Sequence, residues 1–353
     1  MARVARLLAA LFAFFLSLSL LGESLELLGE GFSRRLLSTT ENPFLGLFIG
    51  ILATSILQSS STVTSMTVAM VAGGGLDVAH AIPIIVGSNM GTSVTNAIVA
   101  AGHIDRPAEF KRAFAAAVVD DFFEILSILA LFPLQLATNF LGIGAGFLSQ
   151  HLARLGGLAW ASPLGAIVDP VVQLLADAAF RSGPALLAVS LILLALALHY
   201  LVVDLRALFI GRVEAFIDKR LFRTAGRAML LGFVCTVVVQ SSSVTTSLVV
   251  PLAGIAMLKL PQIFPYVLGA NTGTTMTALL AALVTGEEAA LTVAFAHLLY
   301  NIVGMILIWP IRRVPMFLAE RLAEESARSK LVPFVYVGVV FFGLPITLIC
   351  LAR

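Results

Sequence analysis

Residues 50–70 read GILATSILQSSSTVTSMTVAM, and residues 232–252 read GFVCTVVVQSSSVTTSLVVPL. Each sets Gln-Ser-Ser-Ser, at 58–61 and at 240–243, inside an otherwise apolar run. Four consecutive hydrogen-bonding side chains are costly to bury without partners. In the first copy about 15 residues separate Pro43 from Gln58. As helix they span roughly 22 Å, short of the bilayer's hydrocarbon core of about 30 Å. The polar run therefore arrives before the first arm could cross. A second short arm follows and ends at Gly73-Gly74-Gly75. Two short arms with a polar tip read as a re-entrant hairpin, which membrane depth tolerates only inside protein or beside a water-filled cavity.

The surrounding composition places these hairpins in a membrane. The chain has 353 residues, 59% of them hydrophobic and 12% charged, with a mean hydropathy of +1.02. A soluble domain is nearer a quarter charged. Spans expected to cross are Ala5–Leu28, Leu76–Gly102, Ala113–Leu141, Pro184–Leu208, Leu260–Thr285, Glu288–Trp309 and Leu331–Leu351. The fold class is therefore an all-α polytopic membrane protein, and the short alternating segments of a β-barrel are missing. A net charge of +2 gives no argument for nucleic acid. Cys235 and Cys350 lie far apart in apolar runs and read as packing residues. Arg3 and Arg6 before an apolar stretch resemble a signal peptide, but no A-x-A-like cleavage site follows. An uncleaved first transmembrane helix is the preferred reading, since Pro184–Leu208 is a comparable span in the second half.

Shifted by 182 residues, Gly50–Thr95 aligns on Gly232–Thr277 without a gap, and 16 of the 46 positions are identical. Similarity at a fixed offset means a repeat. Polar residues hold the register: Thr64-Ser65 falls on Thr246-Ser247, and Gly87-Ser88-Asn89-Met90-Gly91-Thr92 on Gly269-Ala270-Asn271-Thr272-Gly273-Thr274. With the N-terminus in the cytoplasm and a hairpin counted as no crossing, 17 of the 22 Lys and Arg residues fall on the cytoplasmic side. Each repeat then has three crossings and one hairpin, so the second is inverted relative to the first. Inverted repeats with interrupted helices meeting at the midplane are the architecture of secondary transporters. The expected organisation is a first repeat at 1–141, an extracytoplasmic connector at 142–183, a second repeat at 184–311 and a C-terminal transmembrane helix at 312–353.

Each hairpin tip supplies one amide and three hydroxyls. The helix resuming after the tip presents free backbone N–H groups and a positive dipole end, which suit phosphate, sulfate or carboxylate. In GSNMGTSVT (87–95) and GANTGTTMT (269–277), two glycines flank an asparagine and favour local unwinding of an apolar helix. Unwound carbonyls with Asn and Thr oxygens, and no carboxylate, suit monovalent Na⁺ better than Ca²⁺ or Mg²⁺. The alternative is packing, since Ser, Thr and Gly are common at membrane helix interfaces. Gly46/Gly50 and Ala228/Gly232 are assigned to that role. Asp120 and Glu124, with Asp121 beside them, lie one turn apart, as do His297 and Asn301 in a later span. Intramembrane ionisable groups are functional candidates. The alternative is that the acids pair with Lys111 or Arg112 near the cytoplasmic end. Residues alone thus reach an ion-coupled transporter of a small anion.

Duplicated QSSS motifs, each followed by G-x-N-x-G-T-[ST], resemble the type II sodium–phosphate cotransporters and their bacterial members. The resemblance runs from the first hairpin through the sixth span, and RAFAAAVVDDFFEIL (112–126) also resembles a family segment. It implies Na⁺-driven symport of inorganic phosphate across the cytoplasmic membrane by alternating access, with no cofactor and no enzymatic activity. Phosphate would sit at Ser59, Ser60, Ser61, Ser241, Ser242 and Ser243, with Asn89 and Asn271. Gln240, Ser241, Thr274 and Thr277 match positions associated with a sodium site, and the repeat extends this to Gln58, Ser59, Thr92 and Thr95. The family usually has His and Asn where this chain has Asp120 and Glu124; His297 and Asn301 keep that pair, and all four are candidates for coupling or pH sensing. The large disulfide-bonded loop of animal members and the regulatory C-terminal domain of some bacterial ones are expected to be missing. The expected partners are phosphate, sodium ions and the lipid bilayer, with a homodimer as candidate assembly. Competing readings are a symporter of sulfate or a dicarboxylate, a channel, and a membrane enzyme using a serine nucleophile.

Overall fold

The computed structural model describes residues 2–39, 41–154, 162–216 and 221–351. Lys219, Arg220 and Arg353, used above to orient the chain, and residues 155–161 of the connector lie outside the described residues. The described chain is built of helices: α1 Ala2–Thr39, α2 Pro43–Leu57, α3 Ser60–Ala72, α4 Val78–Met90, α5 Ser93–Ala101, α6 Pro107–Thr138, α7 Phe140–Arg154 and α8 Ser162–Ala178. It continues with α9 Gly183–Phe216, α10 Ala225–Val239, α11 Ser242–Gly254, α12 Leu260–Thr285, α13 Glu288–Ile308, α14 Arg313–Arg328, α15 Leu331–Val337 and α16 Leu344–Leu351. A π-helical turn, Gly338–Gly343, joins the last two.

Among the described residues six stretches are long and apolar enough to span a bilayer: Arg6–Leu25, Val78–Ala101, Gly183–Leu201, Leu260–Thr285, Glu288–Ile308 and Leu331–Leu351. The seventh expected span lies in α6, whose 32 residues suffice in length, but Asp120, Asp121 and Glu124 interrupt its apolar run. The four QSSS-flanking helices have 15, 13, 15 and 13 residues, each too short to cross alone.

The packing pattern occurs twice. α2 lies along α4, and α10 along α12. α3 packs on α12 and α13, while α11 packs on α5 and α6. α6 is covered by α14 and α13 by α7, so the helix following each long span covers its counterpart in the other half. α1 and α9 lie side by side, joined by Arg6, whose Nε donates to both carboxylate oxygens of buried Asp204 at 2.7 and 2.9 Å. At one end Lys330 reaches Asp105 at 2.9 Å, and this hydrogen bond, with the ammonium's charge, holds the Asp105 carboxyl below its ordinary range.

Glycines set the approach of α2 to α4 and of α10 to α12. A Cβ at Gly50 would lie 2.2 Å from the Ile84 carbonyl oxygen, and one at Gly87 2.0 Å from that of Leu47. In the second half the distances are 2.0 Å from Gly232 to Tyr266 O and 1.9 Å from Gly269 to Met229 O. Backbone cannot retreat as a side chain can. Gly232→Ala and Gly269→Ala should therefore each cost at least about 1–3 kcal/mol. The check is the thermal unfolding midpoint and the fraction of monodisperse protein in detergent, against Gly226→Ala, where nothing lies within 4 Å.

These contacts correct one expectation. The motif containing Asn271 does not unwind: α12 runs unbroken from Leu260 to Thr285. Its glycines serve helix approach, and Thr272, Thr274 and Thr275 hydroxyls donate to the carbonyls of Leu268, Ala270 and Thr272, within the same helix. In the first half the helix does break, between Met90 and Ser93, although Gly91 and Thr92 keep near-helical dihedrals.

Candidate functional site

Both QSSS runs fold into the same break. Gln58 takes the left-handed conformation, φ 54°, and ends α2; Ser59 is extended, φ −152°, and caps α3 by accepting from Thr62 N at 3.2 Å. Gln240 has φ 57° and Ser241 φ −153°, and Ser241 Oγ accepts from Val244 N at 3.3 Å. A non-glycine residue held at positive φ costs of order 1–3 kcal/mol and persists where its surroundings fix it. Here three contacts fix each glutamine. The Gln58 N–H donates to Thr54 O, its Nε2 to Ser55 O, and its Oε1 accepts from Thr95 Oγ1 at 2.8 Å. The Gln240 N–H donates to Thr236 O, its Nε2 to Val237 O, and its Oε1 accepts from Thr277 Oγ1 at 2.8 Å.

The next two residues open a helix in each copy. Ser60, Ser61, Ser242 and Ser243 are all buried. Among the described residues none of their hydroxyls has a hydrogen-bond partner. Their backbone N–H groups stand at the first helical positions, where no intrahelical acceptor exists. Each tip gathers serine hydroxyls and helix N-terminal amides in one place, and a tetrahedral anion is the ligand chemistry this suits.

The asparagines of the following motif reach across to the other half. Asn89 Oδ1 accepts from His297 Nε2 at 3.0 Å and from Asn301 Nδ2 at 3.5 Å. Asn271 Nδ2 donates to Asp120 Oδ1 at 2.7 Å and to Glu124 Oε1 at 3.2 Å. The two arrangements correspond, but their polarity is reversed: one asparagine uses its oxygen toward His297 and Asn301, the other its nitrogen toward Asp120 and Glu124. Glu124 also accepts from Tyr300 OH at 3.0 Å, and neighbouring Asp121 from Tyr336 OH at 2.8 Å. Asp120 and Glu124 are 3% and 1% exposed. Neither forms the ion pair considered above. Arg112 instead donates through Nε and a terminal nitrogen to Gly254 O, at 2.9 and 2.6 Å, and Lys111 faces Glu324 at 3.6 Å.

Of the candidate sodium oxygens, Gln58 meets Thr95 and Gln240 meets Thr277, as described. Thr92 and Thr274 donate instead to Asn89 O and Ala270 O, at 3.1 and 3.2 Å. Among the described residues no group of His, Cys, Asp or Glu has metal-ligand geometry. Another cross-half contact with no signal in the repeat joins Asn96 and Thr246, which bond reciprocally at 3.0 and 3.1 Å. Its signal was a buried asparagine one residue past the motif, but the repeat places Ala278 there, so symmetry gave no hint.

The profile of the family described as Na⁺/Pi-cotransporter matches residues 13–156 and 191–347. Sodium-dependent phosphate transport protein 2A of Rattus norvegicus is 33% identical over 97% of this chain and 66% of its own length. Sodium-dependent phosphate transport protein 2B of Homo sapiens is 32% identical over 98% of this chain and 64% of its own length. The chain thus spans just under two thirds of the relatives it matches. No solved structure matches it. With the family profile covering well over half the residues, including both QSSS breaks, the chain belongs to the Na⁺/Pi-cotransporter family.

Proposed function

We propose that the chain is a sodium-coupled symporter of inorganic phosphate that works by alternating access across the cytoplasmic membrane. The observation that carries this reading is the pair of glutamine-pinned breaks, each placing the hydroxyls of two largely buried serines beside helix N-terminal amides. The names of the 2A and 2B relatives supply phosphate and sodium. Phosphate binds at Ser59, Ser60, Ser61, Ser241, Ser242 and Ser243, with Asn89 and Asn271 nearby in each half. Sodium binds beside the Gln58–Thr95 and Gln240–Thr277 oxygen pairs, with Thr92, Thr274 and Ser241 completing the set when their hydroxyls turn from their helices.

The breaks are the tips of re-entrant hairpins, and the two halves are inverted repeats with the N-terminus in the cytoplasm. The short flanking helices and the twice-repeated packing support this. The boundaries near 1–141, 184–311 and 312–353 follow, although 142–183 carries most of α7 and all of α8, with α7 packed on α13. Asp120 and Glu124 act in coupling, because they hold Asn271 as His297 and Asn301 hold Asn89.

The test is radiolabelled phosphate uptake into proteoliposomes under an inward Na⁺ gradient and then an inward K⁺ gradient. Saturable uptake with Na⁺ alone is expected. Equal uptake with K⁺, or full inhibition by excess sulfate or succinate, would overturn the assignment of ion or substrate.

A further inference from the structure

A cavity lined by both charged and apolar side chains lies away from the hairpin tips. It is about 740 Å³ in volume and sits between α6, the turn joining α11 to α12, and α14. Lys111, Arg112, Lys259 and Arg321 line it, against Glu320 and Glu324, so cations exceed carboxylates by two. The carboxylates do not saturate them. Glu324 is shared at long range between Lys111 at 3.6 Å, Arg321 at 3.8 Å and Arg328 at 3.5 Å. Lys259 has no ion pair among the described residues. Leu258, Leu260 and Phe317 form apolar wall beside the charges. Nearby, Ile255, Met257, Val314 and Phe317 are 58%, 42%, 41% and 54% exposed.

Cations beside outward-facing apolar surface match a ligand with an anionic head and a hydrocarbon tail. All four cations belong to the face that the proposed orientation puts in the cytoplasm, where anionic lipids attract basic pockets between membrane helices. We propose that this cavity binds the phosphate headgroup of an anionic phospholipid from the cytoplasmic leaflet, with acyl chain laid along Ile255, Met257, Val314 and Phe317. The headgroup sits beside the turn that follows Gly254, whose carbonyl Arg112 holds. Occupancy therefore steadies the end of α11 opposite its QSSS tip. The site needs a membrane protein but does not depend on phosphate being the transported anion.

The test follows thermal unfolding of the full chain in detergent with dioctanoyl phosphatidylglycerol, dioctanoyl phosphatidylcholine or inorganic phosphate. Phosphatidylglycerol should raise the midpoint saturably and phosphatidylcholine should not. K259A/R321A should lose the rise, and K259R/R321K should keep it. Equal rises with the two lipids, or a phosphatidylglycerol rise that survives K259A/R321A, would overturn the site. A rise with inorganic phosphate that K259A/R321A also removes would overturn the lipid assignment in favour of free phosphate. A phosphate rise that survives K259A/R321A, beside a phosphatidylglycerol rise that does not, supports it. Should K259A/R321A fail to fold, K259E alone serves: Lys259 is exposed, and the half-maximal lipid concentration should rise about tenfold, or 1.4 kcal/mol. No change in K259E would likewise overturn the site.

Discussion

Sodium-driven phosphate uptake by the double variant Ser60→Ala/Ser242→Ala is expected to fall to about a hundredth of wild type or less, with no loss of folded protein. Among the described residues the Ser60 and Ser242 hydroxyls have no partner, so their removal breaks no hydrogen bond there. Each opens a helix, where alanine is accommodated without strain. What they lose is a bond to the anion, and a hydrogen bond to a charged group contributes about 1.5–3 kcal/mol. Each hydroxyl is thus worth roughly 10- to 150-fold in binding. Ser59→Ala and Ser241→Ala should behave differently, because these residues cap α3 and α11. Loss of a cap costs about 1 kcal/mol of stability, so their unfolding midpoints should drop as well. Initial uptake rates with unfolding midpoints on the same preparations make the comparison. Wild-type uptake by the Ser60→Ala/Ser242→Ala protein would remove phosphate from the tips.

Much of this arrangement was legible in the sequence for one reason. A polar run inside an apolar segment too short to span has few solutions, and finding it twice at one offset removes most of those left. Gln58 and Gln240 sit at the break in both copies because only the break frees their side chains to return to the backbone and to Thr95 and Thr277. What pattern could not separate is the two uses of glycine. Gly269 and Gly273 read equally well as a place to unwind and a place for backbones to touch, and only the facing carbonyls of Met229 and Phe233 decide. Nor could spacing along α6 show what faces Asp120 from another helix. Proximity in sequence pointed to Lys111 and Arg112, whereas Asn271 comes from the opposite half. The Arg6–Asp204 pair was hidden for the same reason, since its members are 198 residues apart.

The cross-half pairs yield the second large expected effect. One Asn271 amide nitrogen serves both Asp120 and Glu124, so those oxygens converge, and no Lys or Arg pairs with either among the described residues. Those two distances, 2.7 and 3.2 Å from one nitrogen, hold the oxygens no more than their sum apart, and two full negative charges that close repel by about 3 kcal/mol or more at an effective dielectric near 20. The pair is therefore relieved by one cation, a proton or a sodium ion. If both compete for it, raising the pH removes the proton and favours sodium. The half-saturating Na⁺ concentration for uptake should then fall as pH rises, by at most tenfold per pH unit for one-for-one exchange. Glu124→Gln still offers Asn271 an acceptor and should flatten that dependence. Asp120→His with Glu124→Asn places in the first half the side-chain types that meet Asn89 in the second, and should flatten it too, with uptake retained. Asp120→Ala with Glu124→Ala is the contrast: it leaves the Asn271 amide buried without an acceptor, a cost of about 1–3 kcal/mol in stability. Uptake measured across sodium concentration at each pH separates the cases. If Glu124→Gln and the His/Asn variant keep the wild-type slope while only the alanine pair loses stability, the carboxylates merely hold Asn271 in place. A slope lost in both, with folding intact, makes them the point where proton and sodium compete, at the position where the other half of the protein uses His297 and Asn301.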